Sequence, residues 1–417
     1  MYRIKTSLFL LFFVLVSFSL LAQNNTNSPY TRFGYGYLND QAFGGQRAMG
    51  GIGYGLKSSE IINPINPASF SNVDSMSFMI DMGISARLGW FSDEDRTVRK
   101  FNGNIEYLAM QFPLSKTLGM GLGLKQISSV GYDYGNISGT GQSAVVHTYS
   151  GSGGLSEVYG GISYKLFKGF SLGANIGYLF GDLKHGSKVG YYDVENFTDE
   201  YIDTLRVNGL DYELGFQYTY PLSKGKQITI GGVFSPKRSV GGKYMESYVQ
   251  RNISNSVVER KDSTTYNLGL EMPTTIGIGF TYNEMDRLTL GADFTMEAWE
   301  SATFYGDTDK FRNSNKFSLG GEYIPQYKSR KFLERVRYRF GAKHSNSYVL
   351  VNNSGYKEYG VSLGFGLPMN DGRSLLNTSF EFTKVSPESK QLVGEQYFKF
   401  TFSYTFNELW FFQRKVQ

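Results

Sequence analysis

The sequence predicts an all-β protein: a 14-stranded antiparallel transmembrane β-barrel with an N-terminal hatch or plug in its lumen. Three observations carry this. Apolar residues alternate with polar or small ones in long runs from Met76 onward. Short and long connections alternate between these runs. A secretory leader stands in front of them.

The leader occupies residues 1–22. Arg3 and Lys5 give a positive start, Leu8 to Leu21 give an apolar stretch, and Ala22 is small enough for a cleavage site. The apolar stretch is shorter than the ~20 residues a spanning helix needs. It is therefore expected to be removed, and the mature chain to be exported.

Residues 23–75 have little periodicity. They carry "FGGQRAMGGIGYG" and then "INPINPASF". Glycines permit tight turns, and the residues before Pro64 and Pro67 are biased to extended backbone. The segment reads as a compact irregular module, and the barrel lumen is the nearest place for it to pack.

The barrel is expected over 76–406. In the first run Met76, Phe78, Ile80, Met82, Ile84, Ala86 and Leu88 share one face. The pattern returns at 105–112, 118–124, 158–166, 170–180, 210–220, 228–234, 276–282, 288–298, 317–323, 336–342, 359–367, 376–382 and 398–406. Such runs are longer than the ~5–6 residues of a mean soluble strand and match a tilted bilayer crossing. Lipid leaves no partner for a bare sheet edge, so the sheet must close. "PLSK", "FKG", "PLSKGK", "NEMDR" and "PMNDGR" form the short turns. An even strand number puts both ends on that side, the periplasm. Residues 407–417 are left as a periplasmic tail. Trp90 and Trp299 should sit at the outer membrane interface, and Trp410 at the inner one.

Composition excludes several functions. There is no Cys among 417 residues, which removes thiol chemistry, disulfides and zinc–cysteine sites. A net charge of +5, without a basic run, leaves no footprint for nucleic acid. His147, His185 and His344 are the only histidines, and none stands in a catalytic motif. "SGSGG" at 150–154 has no apolar strand and helix around it, as a nucleophile elbow requires. No catalytic residue, cofactor or metal is expected. Asp307 and Asp309 alone are too few for a cation site.

With these motifs in hand the chain resembles the FadL-type family of long-chain fatty acid transporters of the outer membrane. "GGQRAMGGIGYGLKSSEIINPINPASFSNVDSMSF" is similar to the family's hatch, with its Asn-Pro-Ala motif at Asn66, Pro67 and Ala68. "LEMPTTIGIGFTY" and "GGEYIP" resemble its strands. "SPYTRFGYG" and "FKFTFSYTFNELWFF" resemble the subgroup common in Bacteroidota. The resemblance implies a channel that passes hydrophobic, fatty-acid-like molecules past the hatch and a kinked third strand. Gly119, Gly121 and Gly123 are the candidates for that kink, with ordinary packing against the hatch as the competing reading. Some relatives serve instead as structural subunits of secretion or assembly complexes. The expected partners are thus the outer-membrane bilayer and a hydrophobic ligand or, on the alternative reading, other outer-membrane or periplasmic proteins.

One further site comes from the strand period. Arg335, Arg337, Arg339 and Lys343 should line the lumen as a row of cations. Glu322, Asp293, Glu297, Glu60 and Asp74 are available to neutralise it. Either these acids pair with the row and anchor the hatch, or one arginine is left to hold a ligand carboxylate in its planar fork.

Overall fold

The structure, a computed structural model, describes residues 26–93, 96–140, 144–191, 197–252, 254–285 and 287–409. The leader, most of the tail and Trp410 lie outside these residues. Fourteen antiparallel strands form one closed sheet. They are β1 (Ser77–Ser92), β2 (Thr97–Pro113), β3 (Leu118–Gln126, resuming as Ser128–Ser138), β4 (Val145–Phe167), β5 (Phe170–Tyr191) and β6 (Thr198–Ser223). There follow β7 (Lys226–Ser235, resuming as Arg238–Arg251), β8 (Val257–Tyr266, Leu270–Met272 and Thr275–Glu284), β9 (Leu288–Glu297) and β10 (Ser314–Tyr323). The last four are β11 (Arg337–Asn346), β12 (Tyr356–Pro368), β13 (Leu375–Pro387) and β14 (Gly394–Leu409). The ring closes where β14 pairs with β1, from Gly394–Ser92 to Leu409–Ser77. Residues 407–409, expected in the tail, therefore belong to the last strand.

The alternation does what the period required. Val158, Ile162, Tyr164 and Leu166 of β4 are exposed, as are Ile278 and Phe280 of β8 and Val361 and Leu363 of β12. Their neighbours in sequence, such as Glu157, Ser163, Thr281 and Ser362, are buried toward the lumen. An apolar outer belt over a polar interior is the surface of a barrel made for lipid.

Beyond the belt the strands continue further than the sequence suggested. β4 has 23 residues, β5 22 and β6 26, against the ~9–11 of a crossing. Segments expected as loops, among them 145–157, 238–251 and 257–266, are paired strands. His147 lies on the extension of β4 and His185 on that of β5. Outside the bilayer the outer face meets water and no longer needs to be apolar, so the hydrophobic period fades while the ladder goes on.

Residues 26–76 run inside the ring. They form three short 3-10 turns, Pro29–Arg32, Gly44–Met49 and Pro67–Asn72, and a two-residue strand, Tyr37–Leu38. Every residue of the second and third turns is buried.

Candidate functional site

The inner segment is held at three levels. Toward the short-turn rim, Asn66 caps the Pro67–Asn72 turn by accepting from the Ala68 N–H at 3.0 Å. The same side chain donates to the carbonyls of Tyr54 at 2.8 Å and Phe216 of β6 at 2.9 Å. Pro67 follows as the first residue of the turn, and the Ala68 carbonyl accepts from Ser163 of β4 at 2.7 Å. The Asn-Pro-Ala motif is thus a turn that ties the segment to two strands.

Gly119 and Gly121 seat the same turn, and Gly123 seats the Tyr159 ring beside it. A Cβ on Gly119 would lie 2.0 Å from the Phe70 carbonyl, and one on Gly121 2.8 Å from the Phe70 ring. One on Gly123 would lie 2.7 Å from the Tyr159 ring. The ladders on both sides of these glycines are intact. They do not kink β3. The strand breaks four residues on, at Ile127, so the expected position is corrected to the Gln126–Ser128 step.

At mid-height the arginines are paired. Arg339 donates through Nε to Glu322 at 2.7 Å and through Nη1 to Asn377 at 2.6 Å. Arg337 donates to the same Glu322 at 3.3 Å and to Glu60 of the inner segment. Arg335 is not part of this row: it ends a short helix, Phe332–Arg335, ahead of β11. The chain between β10 and β11 folds into that helix, so strand alternation does not reach it. Lys343 and Lys316 both meet Asp40, at 3.2 and 3.1 Å. Burial opposes ionisation of Asp40, yet these two ammonium groups outweigh it and hold the carboxyl well below its usual range. Arg47 meets Glu106 at 2.9 Å, and Glu106 meets Lys399 at 2.7 Å. Asp293 accepts from the N–H groups of Gly53 and Tyr54 at 2.6 and 3.0 Å.

Toward the outer rim the segment builds an aromatic cap. Tyr35 packs with Trp299, Phe304 and Phe311, at ring separations of 5.9, 5.1 and 6.3 Å. Trp299 also lies 4.5 Å from Tyr348 and donates to Glu297 at 2.7 Å. Trp299 is therefore not a lipid-interface ring. β9 stops at Glu297, and the short turn Trp299–Ser301 swings the indole into the lumen, where it is 1% exposed. The inward turn cannot be read from strand parity.

Between cap and hatch lies a chamber of about 280 Å³. Its floor includes Tyr54 and Ile65, and its side toward β3 includes Leu38, Asn39 and Ile127. That side adjoins a seam at which two facing strands both continue but their described ladder stops. β2 pairs with β3 only from Pro113–Gly119 to Tyr107–Lys125. Tyr107 stands opposite Gly83, near the middle of the lipid face of β1. Above it β2 pairs with β1 alone, while the upper half of β3 pairs with β4. A bulge at Glu106 turns Ile105 and Phe101 outward at the parting. From inside, Tyr37 and Leu38 pair with Ser129 and Ser128, and the Asn39 N–H donates to the Ile127 carbonyl at 2.9 Å. Asn104 donates to Gln126 at 2.7 Å, and Asn27 to Asn102 at 2.6 Å. The inner segment stands in for a missing strand pair.

Fold and site together define a class: a closed β-barrel of the outer-membrane type, its lumen filled by its own N-terminal segment. The chain belongs to the BamG family, whose model matches residues 3–417. A search of curated protein sequences finds no match. Among solved structures it is similar to the Pseudomonas putida toluene transporter TodX, at 13% identity and a TM-score of 0.64, covering 90% of this chain and 100% of that one. It is also similar to the Ralstonia pickettii toluene transporter TbuX, at 15% identity and a TM-score of 0.60, covering 88% and 98%. A Pseudomonas aeruginosa FadL homologue matches at 13% identity and a TM-score of 0.58, covering 89% and 99%. At these identities the likeness speaks for the fold.

Proposed function

We propose that the protein is an outer-membrane channel that passes small hydrophobic molecules, fatty-acid-like in the broad sense, from the outer face toward the bilayer. Its sequence motifs support this reading, since they resemble those of the FadL-type family and its Bacteroidota-like subgroup. The parted β2–β3 seam carries this reading. A barrel in lipid has every reason to pair all its edges, so a seam unpaired from mid-membrane outward and patched from inside by a short segment suits a side exit. The chamber adjoins that exit, and the solved channels of this fold carry hydrocarbons by their printed names. Asn66, Pro67 and Ala68 then hold the plug at its base, and Arg337 ties it to the wall through Glu60.

A cross-link tests it. Leu38 and Ser128 are cross-strand partners, close enough for a disulfide once both are Cys, and the chain has no other Cys. Oxidised Leu38→Cys/Ser128→Cys protein should stop toluene uptake by cells that depend on this channel, and reductant should restore it. Uptake that ignores the cross-link would end the side-exit reading.

A second reading is that the barrel binds other proteins as a structural subunit of a secretion or assembly complex. The feature favouring it is the tall wall above the belt, with an exposed outermost strand segment, Val257–Tyr266, whose described ladder is with Arg238–Arg251 alone. Extraction in mild detergent followed by native mass spectrometry separates the two: a stoichiometric protein partner supports the second, and a lone barrel supports the first.

A further inference from the structure

The wall that rises above the belt over β5 to β8 carries opposite charge on its two faces. Leu205 and Val207 of β6 are buried toward the lumen, and Leu210 and Tyr212 face lipid, so alternation assigns a side to each residue above them. The ladders carry that assignment across to β5, β7 and β8. On the pore side stand Asp199, Asp203, Glu246 and Glu259, answered by Lys261. The outer side is basic. In its upper part Lys188 stands opposite Glu200, and Arg251 lies 3.6 Å from that same carboxylate. Arg260 and Asp262 neutralise each other at 2.9 Å.

The lowest part of the outer side rests directly on the end of the belt. Tyr178 and Phe180 of β5 and Leu210 of β6 are exposed there to lipid. The next outward positions on β5 are Asp182 and Lys184. On β6 Arg206 stands opposite Asp182 on one flank and opposite Lys243 of β7 on the other. Arg206 donates to Asp182 twice, at 2.7 and 2.8 Å. These bonds, helped by the charges of Lys184 and Lys243, hold the Asp182 carboxyl below its usual range. Neither lysine has an ion pair of its own among the described residues. Like charges directly opposite on a ladder are destabilising, yet Arg206 faces Lys243. Three cations share one carboxylate, and an anion from outside would settle the difference.

We propose that Lys184, Arg206 and Lys243 bind the phosphate of an outer-leaflet glycolipid, whose acyl chains lie along Phe180, Leu210 and Tyr212 beneath. The level of the row names the occupant: it begins where the lipid-facing run of each strand ends, at the depth of the headgroups. The row spans two strand spacings, about 10 Å, which is the width of a headgroup rather than of a point charge. Phosphate suits an arginine fork set between two lysine point charges. The acidic pore side repels the same lipid, so charge alone decides which face it takes. The inference goes beyond the channel reading and needs only the membrane placement of the belt.

The test titrates the full chain in detergent with bisphosphorylated lipid A and with the same lipid stripped of phosphate, and counts bound lipid by native mass spectrometry. The phosphorylated form should bind at least about tenfold more tightly. Lys184→Gln/Lys243→Gln should remove most of that preference. Asp182→Asn, which takes away the competing carboxylate, should increase it. Lys261→Gln, a cation lost from the pore side of the same wall, should leave it unchanged. Each variant must retain the heat-modifiable gel mobility of a folded barrel. Equal binding of the two lipids, or a preference that the double variant keeps, overturns the site. A protein that co-purifies with the parent and not with the double variant, in the absence of a phosphate preference, overturns the lipid as occupant and gives the face to an acidic partner. None of these results decides whether the barrel is a channel, which the cross-link measures separately.

Discussion

Two seams of this barrel solve the same problem in different ways. At the β14–β1 seam the ladder runs unbroken through sixteen residue pairs, from one rim to the other. At the β2–β3 seam it runs through seven and stops at mid-membrane. The upper half is closed from inside, by Tyr37, Leu38 and Asn39 and by a set of amide side chains. The first seam is covalently remote and permanent once formed. The second is completed by a segment that makes only a few backbone bonds there. A membrane requires that backbone polar groups be satisfied, and does not prescribe whether a strand or a plug satisfies them.

The largest effect should come from breaking the complete seam. Phe400, opposite Ala86 at its centre, replaced by proline loses ladder capacity inside lipid. Phe400→Pro should cost about 3 kcal/mol or more and abolish the folded, heat-modifiable band on cold gels. Retention of that band would mean that the two seams share the load.

An intermediate effect is expected at the patched seam. Asn39→Pro removes the N–H donated to Ile127 and the amide donated to Ser129 at 2.9 Å. The barrel should still fold, with about 2 kcal/mol of local protection lost. Amide exchange should quicken at 127–130, and small solutes should leak in planar bilayers. Unchanged exchange there would show that the inner segment merely lies beside the seam.

The smallest effect sharpens the contrast with one residue type in two places. Gly119→Ala pushes a methyl against the Phe70 carbonyl and should cost about 1 kcal/mol or more in urea unfolding. Gly103→Ala, on the upper half of β2, meets its nearest atom at 3.9 Å and should stay within about 0.5 kcal/mol. Equal costs would remove the distinction between a packed seat and an open edge.

The membrane part of this fold was legible because lipid imposes a strict rule. Wherever a strand touches hydrocarbon, as at Val158–Leu166 or Tyr359–Leu367, every second residue must be apolar, and the sequence records it. The strand extensions at 145–157 and 238–251 carry no such record, since water is indifferent to which face it meets. Glu322 beside Arg337 followed from parity, although the ladder sets Glu322 opposite Arg339 and Arg337 reaches it from the next lumenal position. Trp299 and Arg335 escaped because each lies outside its strand, Trp299 in the turn after β9 and Arg335 in the helix before β11, where strand parity no longer sets direction. The break at Ile127 was hidden for another reason. Its cause lies in the distant Tyr37–Asn39 stretch that replaces β2, and glycine content at 119–123 reported the hatch seat instead.

The placement of residues 26–76 also fixes a sequence of events. The ring around them is closed by the last strand of the chain, Gly394–Leu409, zipping onto the first. Glu60, Asp40 and Arg47 are already committed to wall residues within that ring. Charged groups would have to be stripped of water twice to enter a finished cylinder. The economical order is to gather the wall around the N-terminal segment and fasten the two chain-distant strands last. Biogenesis then waits on the C-terminus, and a chain stalled before β14 is an open, curled sheet already wrapped about its own beginning.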